Sequence, residues 1–173
     1  DRWGNAVSVT TTINLGYGNG CVVEGAGFFL NNEMDDFSIK PGEPNIYGLI
    51  GGKVNSIEPQ KRMLSSMTPT IIEKDGKLSM ILGSPGGPTI ITSVLQTILN
   101  VYLFGDKINE SVNHPRFYHL WLPDKIYLEK GAFDSETLDS LKSLGYVINK
   151  KFSSIGRVDA IYIDKTNKIF TAA

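Results

Sequence analysis

Gly83-Ser84-Pro85-Gly86-Gly87 joins a strand-like run, Leu78-Ser79-Met80-Ile81-Leu82, to a run with helical periodicity, Ile90 to Phe104. Adjacent glycines at such a junction leave backbone N–H groups uncovered by side chains. The helix that follows adds unpaired first-turn N–H groups and a positive dipole end. The stretch therefore reads either as a tight strand-to-helix turn or as a cradle for an anion or a developing oxyanion. Just upstream, Thr70-Ile71-Ile72-Glu73 and Leu78 to Ile81 flank Lys74-Asp75-Gly76-Lys77. Asp-Gly between strand runs is a strong hairpin signal. A hairpin leading into a helix makes the chain mixed, with antiparallel sheet and packed helices.

Downstream, Ile91, Leu95, Ile98, Leu99 and Tyr102 recur at helical spacing and Ile90, Val94 and Val101 are also apolar, so the helix is expected to be covered on most sides, with Gly105 ending it. Asn109 to Val112 reads as a short helix. Ile126 to Glu129 reads as a strand, and Ser135 to Leu144 as an amphipathic helix with Leu138, Leu141 and Leu144 inward. Tyr146-Val147-Ile148 begins another strand. Asp159 to Ile163 and Lys168 to Thr171 suggest a closing hairpin around Asp164-Lys165-Thr166-Asn167. Upstream, Ala6 to Ile13 is rich in β-branched residues and is expected to be a strand, and Cys21 to Leu30 an extended segment broken by glycines. Ser38 to Arg62 is punctuated by Pro and Gly and is expected to form a long loop, a lid or a packed surface excursion.

The 173 residues are 41% hydrophobic and 20% charged, enough for one domain, taken here as 1–173. A net charge of -1 gives no electrostatic reason to expect nucleic acid as partner. No apolar run approaches the roughly 20 residues of a membrane span. The lone Cys21 reads as a small packing residue. His114 and His119 lack a ligand cluster and read as structural, so neither metal nor cofactor is expected. The chain starts at Asp1 without methionine and stops in a strand-like run at Ala173, as a piece of a longer protein would.

Four polar clusters ask for a joint explanation: Thr12 with Asn14; Asn32, Glu33, Asp35 and Asp36; Lys61-Arg62-Met63-Leu64-Ser65-Ser66; and the Gly86-Gly87 turn. Each alone has a bland reading as turn or loop. Together, carboxylates beside an amide suit an ammonium group, which donates and never accepts. The Ser-Ser pair suits a carboxylate, and the glycine turn an oxyanion. That set fits an amino acid attacked at its side-chain acyl group, although no Ser-His-Asp or Cys-His arrangement supplies a nucleophile.

The motifs Asp1-Arg2-Trp3-Gly4-Asn5-Ala6-Val7-Ser8-Val9-Thr10, Leu30-Asn31-Asn32-Glu33-Met34-Asp35-Asp36-Phe37, Leu64-Ser65-Ser66-Met67-Thr68-Pro69-Thr70 and Gly83 to Gly87 occur in this order. With Pro115-Arg116-Phe117 and Trp121-Leu122-Pro123-Asp124, the chain resembles the small subunit of the gamma-glutamyltransferases, also called glutathione hydrolases. The resemblance implies an α+β fold, the αββα sandwich of the N-terminal-nucleophile hydrolases. It implies a self-cleaving precursor and a large subunit as partner in a heterodimer. It implies glutathione and other γ-glutamyl compounds as donors, and water, amino acids or peptides as acceptors. The periplasm or the exterior is the family's habitual location.

By the same resemblance Thr12 supports the nucleophile, and Gly86 and Gly87 form the oxyanion hole. Asn14, Glu33 and Asp36 hold the substrate α-amino end, Ser65 and Ser66 its α-carboxylate, and Tyr47 belongs to a lid loop. The nucleophilic threonine is expected upstream of Asp1 and an Asp-Pro-Arg-like tail beyond Ala173, so residues 1–173 alone are expected to be inactive. A large-subunit arginine for the α-carboxylate is likewise outside the chain. Met63 stands where a proline is common, and Pro88-Thr89 replaces a usual Ser-Arg pair. Two alternatives remain: a non-catalytic homologue that binds γ-glutamyl compounds or a protein partner, and an acylase of the same fold.

Overall fold

The computed structural model describes residues 1–149, 154–164 and 169–173. The chain forms two compact units, one of residues 1–10 and 67–173 and one of residues 11–66.

In the first unit, β1 (Thr70–Lys74) and β2 (Lys77–Gly83) form the expected hairpin. Asp75 and Gly76 both take positive φ, 54° and 67°, which is what a two-residue turn matching the strand twist requires. β2 also pairs with β5 (Asp159–Asp164), and β5 with β6 (Ile169–Ala172), giving an antiparallel sheet in the order β1-β2-β5-β6. The closing hairpin is thus present as a strand pair, while Lys165 to Lys168 lie outside the described residues.

The helix begins one turn after Gly86. A short 3-10 stretch (Gly87–Thr89) leads into α1 (Ile90–Leu99), which continues as a π-turn over Asn100–Phe104. Gly105, with φ 81°, ends it in the left-handed conformation expected of a C-terminal glycine. Met80, Leu82, Val94, Ile108, Val158 and Ala160 form the buried core, with α2 (Ile108–Ser111) closing over it. The period of α1 is as expected, but the helix is covered on one face and not on most sides. Ile90, Ser93, Val94 and Thr97 are buried, whereas Ile91 and Leu95 are half exposed. Hydroxyls lie within the covered face. Thr97 Oγ1 donates to the Ser93 carbonyl at 3.0 Å, and Ser111 Oγ to the Thr97 carbonyl at 3.1 Å. Such satisfied hydroxyls enter a core at little cost. The continuous helical stretch Gly87–Phe104 has mean hydropathy 1.3 over 18 residues, so by length and composition it reaches the range of a membrane span, contrary to the sequence expectation. Val94 packs in the core with Met80 and Leu82 of β2, while Ile91, Leu95, Leu103 and Phe104 are exposed.

β3 (Phe117–Leu120) and β4 (Lys125–Leu128) form a second, two-stranded sheet. Only β4 was legible; β3 follows Asn113-His114-Pro115-Arg116 and is stabilised by the stacked pair Tyr118–Tyr127, 4.6 Å between ring centres. Ile148 contributes a single parallel bridge to Ile126 in place of the expected strand. α3 (Ser135–Ser143) is capped by Asp134, which accepts from the Thr137 N–H at 2.8 Å. Leu138 and Leu141 are half-buried, but Leu144 is exposed because the helix has already ended at Ser143.

Residues 6–10 alternate as a strand does, with Ala6, Ser8 and Thr10 half-buried and Val7 and Val9 exposed. Contrary to expectation, no strand pairs with them among the described residues, and β-propensity alone cannot supply a ladder. Ser8 Oγ instead donates to the Leu82 carbonyl at 2.9 Å, which lays the segment against β2.

The second unit has almost no regular structure, as its Gly- and Pro-rich composition requires. Single bridges join Val22 to Phe29, Ser38 to Ser56 and Pro44 to Ile50. Glu33–Asp36 and Lys53–Asn55 form 3-10 turns. Cys21 is exposed, so its packing role is not realised.

Candidate functional site

The candidate residues fall into two sets, one in each unit. In residues 11–66 asparagine side chains do the work that secondary structure does elsewhere, because each carries both donors and an acceptor. Asn14, at φ 70°, donates from Nδ2 to the Asn32 carbonyl at 3.1 Å, while its own N–H donates to Thr12 Oγ1 at 2.7 Å. Asn32 Oδ1 accepts from the Leu15 N–H at 3.1 Å. Thr12, Asn14 and the start of the Glu33–Asp36 turn are thereby locked together.

The loop that carries Tyr47 is held the same way. Asn45 Oδ1 accepts from the N–H groups of Tyr47 and Leu49, both at 3.0 Å, and Asp35 Oδ2 accepts from the Ile46 N–H at 3.3 Å. Tyr47 then donates its hydroxyl to Asn14 Oδ1 at 3.0 Å. Burial, followed by the charges of Asp36, Asp35 and Glu33, holds the Tyr47 hydroxyl above its ordinary range, so it stays a donor. Asn55 links the remaining pieces. Its Nδ2 donates to the Asp36 carbonyl at 2.7 Å and its Oδ1 accepts from the Leu64 N–H at 3.0 Å, next to Ser65 and Ser66. Ser65 is exposed and Ser66 half-buried; Arg62 is exposed.

Asn45 and Asn55 were missed in the sequence. The available signal was asparagine inside a loop without strands or helices, where buried backbone groups need side-chain partners.

The two carboxyls of this unit whose ionisation the fold disfavours are Glu33 and Asp36. Glu33 Oε1 is shielded from solvent and has no hydrogen-bond partner. The Glu33 carboxyl is pushed up by burial first and by the nearby Asp36 second, against the opposing pull of the Thr12 hydroxyl and the Asn14 backbone. Asp36 is pushed up by burial as well, offset in part by a hydrogen bond from Glu33 and reinforced by the charge of Asp35. Two adjacent carboxyls that resist ionisation are stabilised by a cation with several donors.

In the first unit the glycine turn is a distinct element. Gly86 has φ 142° and Gly87 φ 54°, both in territory that favours glycine. A Cβ on Gly86 would stand 2.5 Å from Thr89 Oγ1 and 3.1 Å from Gly156 Cα, so a side chain is excluded twice. Neither glycine N–H donates a hydrogen bond among the described residues. Both amides are available at the start of the helix that runs into α1, an arrangement suited to negative charge.

A family model described as Gamma-glutamyltranspeptidase matches residues 1–173. The chain belongs to the gamma-glutamyltranspeptidase family. It is 47% identical over 173 residues to the glutathione hydrolase proenzyme of Escherichia coli, covering 100% of this chain and 30% of that protein. The chain therefore spans less than a third of the length of that curated relative. Among solved structures it superimposes on a point mutant of Helicobacter pylori gamma-glutamyltranspeptidase with a TM-score of 0.95 at 52% identity, covering 100% of this chain and 94% of that one. The Bacillus anthracis transpeptidase CapD matches with a TM-score of 0.75 at 28% identity, over 100% of this chain and 89% of that one. The fold class expected from the sequence, α+β of the N-terminal-nucleophile hydrolase kind, is that of these family members.

Proposed function

We propose that this chain is most of the small subunit of a gamma-glutamyltransferase that cleaves the γ-glutamyl amide of glutathione and related compounds. The observation that carries the reading is the shielded, unpartnered Glu33 oxygen beside Asp36, in a chain matched over its full length by the gamma-glutamyltranspeptidase model. An α-ammonium group supplies the missing donors and the positive charge together. Asn14 offers an amide oxygen to the same group, and the hydroxyls of Ser65 and Ser66 are donors for the α-carboxylate. A large subunit from the same precursor is the proposed partner.

The chemistry follows from these roles. A threonine hydroxyl, proposed to lie N-terminal to Asp1, attacks the γ-carbonyl carbon, and its proton passes to the threonine's own α-amino group. The carbonyl oxygen becomes an oxyanion held by the Gly86 and Gly87 N–H groups. Collapse breaks the C–N bond and the leaving amine takes the proton, leaving a γ-glutamyl ester. Water or an acceptor amine then attacks that ester, and glutamate or a new γ-glutamyl amide departs. Thr12 holds the nucleophile by hydrogen bonding.

Pro88-Thr89, the departure that motivates a non-catalytic alternative, leaves the glycine turn formed, with Thr89 itself bonded to Gly86. That favours the enzyme. The test is expression of the complete reading frame followed by assay of γ-glutamyl anilide turnover. Self-cleaved protein without turnover would defeat the reading.

A further inference from the structure

The amides of the glycine turn do not set their own direction. A trans peptide is planar, so its N–H points opposite to its C=O, and fixing the carbonyl fixes the amide of the next residue. The Gly87 N–H shares a peptide with the Gly86 carbonyl. That carbonyl accepts twice from Thr89, from the N–H at 3.1 Å and from Oγ1 at 2.9 Å. The Gly86 N–H shares a peptide with the Pro85 carbonyl, which accepts from Ser84 Oγ at 2.7 Å. Ser84 Oγ in turn accepts from the Arg157 N–H at 3.0 Å. That contact occupies a lone pair and leaves the hydroxyl proton for Pro85. Both side chains are buried, Ser84 at 2% and Thr89 at 8% exposure, so water does not compete for them. Behind the turn, the backbone of Gly156 closes off the space into which Gly86 would relax.

We propose that Ser84 and Thr89 are positioning residues whose hydroxyls, by holding the Pro85 and Gly86 carbonyls, aim the Gly86 and Gly87 N–H groups at the developing oxyanion. This rests on the hydrolase reading given above. A carbonyl held only by a backbone N–H swings more freely than one also gripped by a hydroxyl. The turn would survive loss of the hydroxyl while its amides lost their aim. Because the oxyanion exists only in the transition state, the deficit belongs in kcat and not in substrate binding.

The experiment uses the complete, self-processed protein and a γ-glutamyl anilide, with active sites counted by a covalent γ-glutamyl-like label. Thr89→Val keeps shape and removes the hydroxyl. Its kcat per labelled site is expected to fall about 10- to 100-fold, less than the loss from deleting an oxyanion donor outright, with KM held within about twofold. Thr89→Ser restores the hydroxyl and is expected to return kcat to within about threefold of the parent. Ser84→Ala is expected to show the same split, and decides the matter if Thr89→Val does not fold. An unchanged kcat in both variants would overturn the proposal. So would a Thr89→Ser variant as impaired as Thr89→Val, or failure of both hydroxyl-deleting variants to fold. An inactive parent would instead remove the hydrolase reading, which keeps the two failures distinct.

Discussion

Glu33 and Asp36 are paired carboxyls in a place that disfavours charge, and their behaviour with pH follows. Both are raised in the folded protein, from ordinary values of 4.5 and 3.8. The folded state therefore holds more protons than the unfolded one above those values. With that sign, stability falls as pH rises through the window between the ordinary and the raised values. Glu33→Gln is expected to flatten this slope, read by thermal denaturation across the acidic range; a slope unchanged in the variant would contradict the assignment. An ammonium ligand reverses the bias and binds with proton release, so donor affinity is expected to rise with pH over the same window. Asp36→Ala removes a charge-assisted partner worth about 1.5–3 kcal/mol. Donor binding is accordingly expected to weaken about 10- to 100-fold in the complete protein, measured as KM and as a competitive Ki for glutamate. Unchanged donor affinity would count against the ammonium role.

At the scale of elements, the glycine turn and the β2–α1 core respond differently to substitution. Gly156 sits at φ 66°, and a Cβ there would meet Ser93 Oγ at 2.5 Å and Ser84 Oγ at 2.9 Å. Gly156→Ala is expected to cost about 1–3 kcal/mol from backbone strain and displaced hydroxyls, seen as a lowered Tm. Leu82→Ala, at a fully buried position near the end of β2, is expected to cost about 2–5 kcal/mol through lost burial and a cavity. These elements also show what a sequence discloses. The hairpin of β1 and β2 was legible because Asp75-Gly76 admits only one kind of turn. The span of α1 was legible from period and from Gly105. Its buried face was not, because Ser93 and Thr97 count as polar until their hydroxyl partners are known. β3 was missed although Phe117 and Tyr118 favour strands, because it is only four residues long and its place is set by pairing with β4.

For the molecule as a whole, what was legible of the proposed site was its residue types. Carboxylates, paired serines and paired glycines can be read without a fold, and the roles proposed for them come from the family resemblance. The asparagines that organise residues 11–66, and the hydroxyls of Ser84 and Thr89, act on backbone groups that only a folded chain brings near. Under the proposed function, the chain recognises a glutamyl head by its α-ammonium group. The most direct measurement compares two anilides on the complete, self-processed protein: γ-glutamyl anilide and glutaryl anilide, which lacks only the α-amino group. Turnover of the first is expected, with a kcat/KM at least about 100-fold lower for the second, because Glu33 and Asp36 would lose their cationic partner. Equal turnover of the two, or of neither, would contradict it.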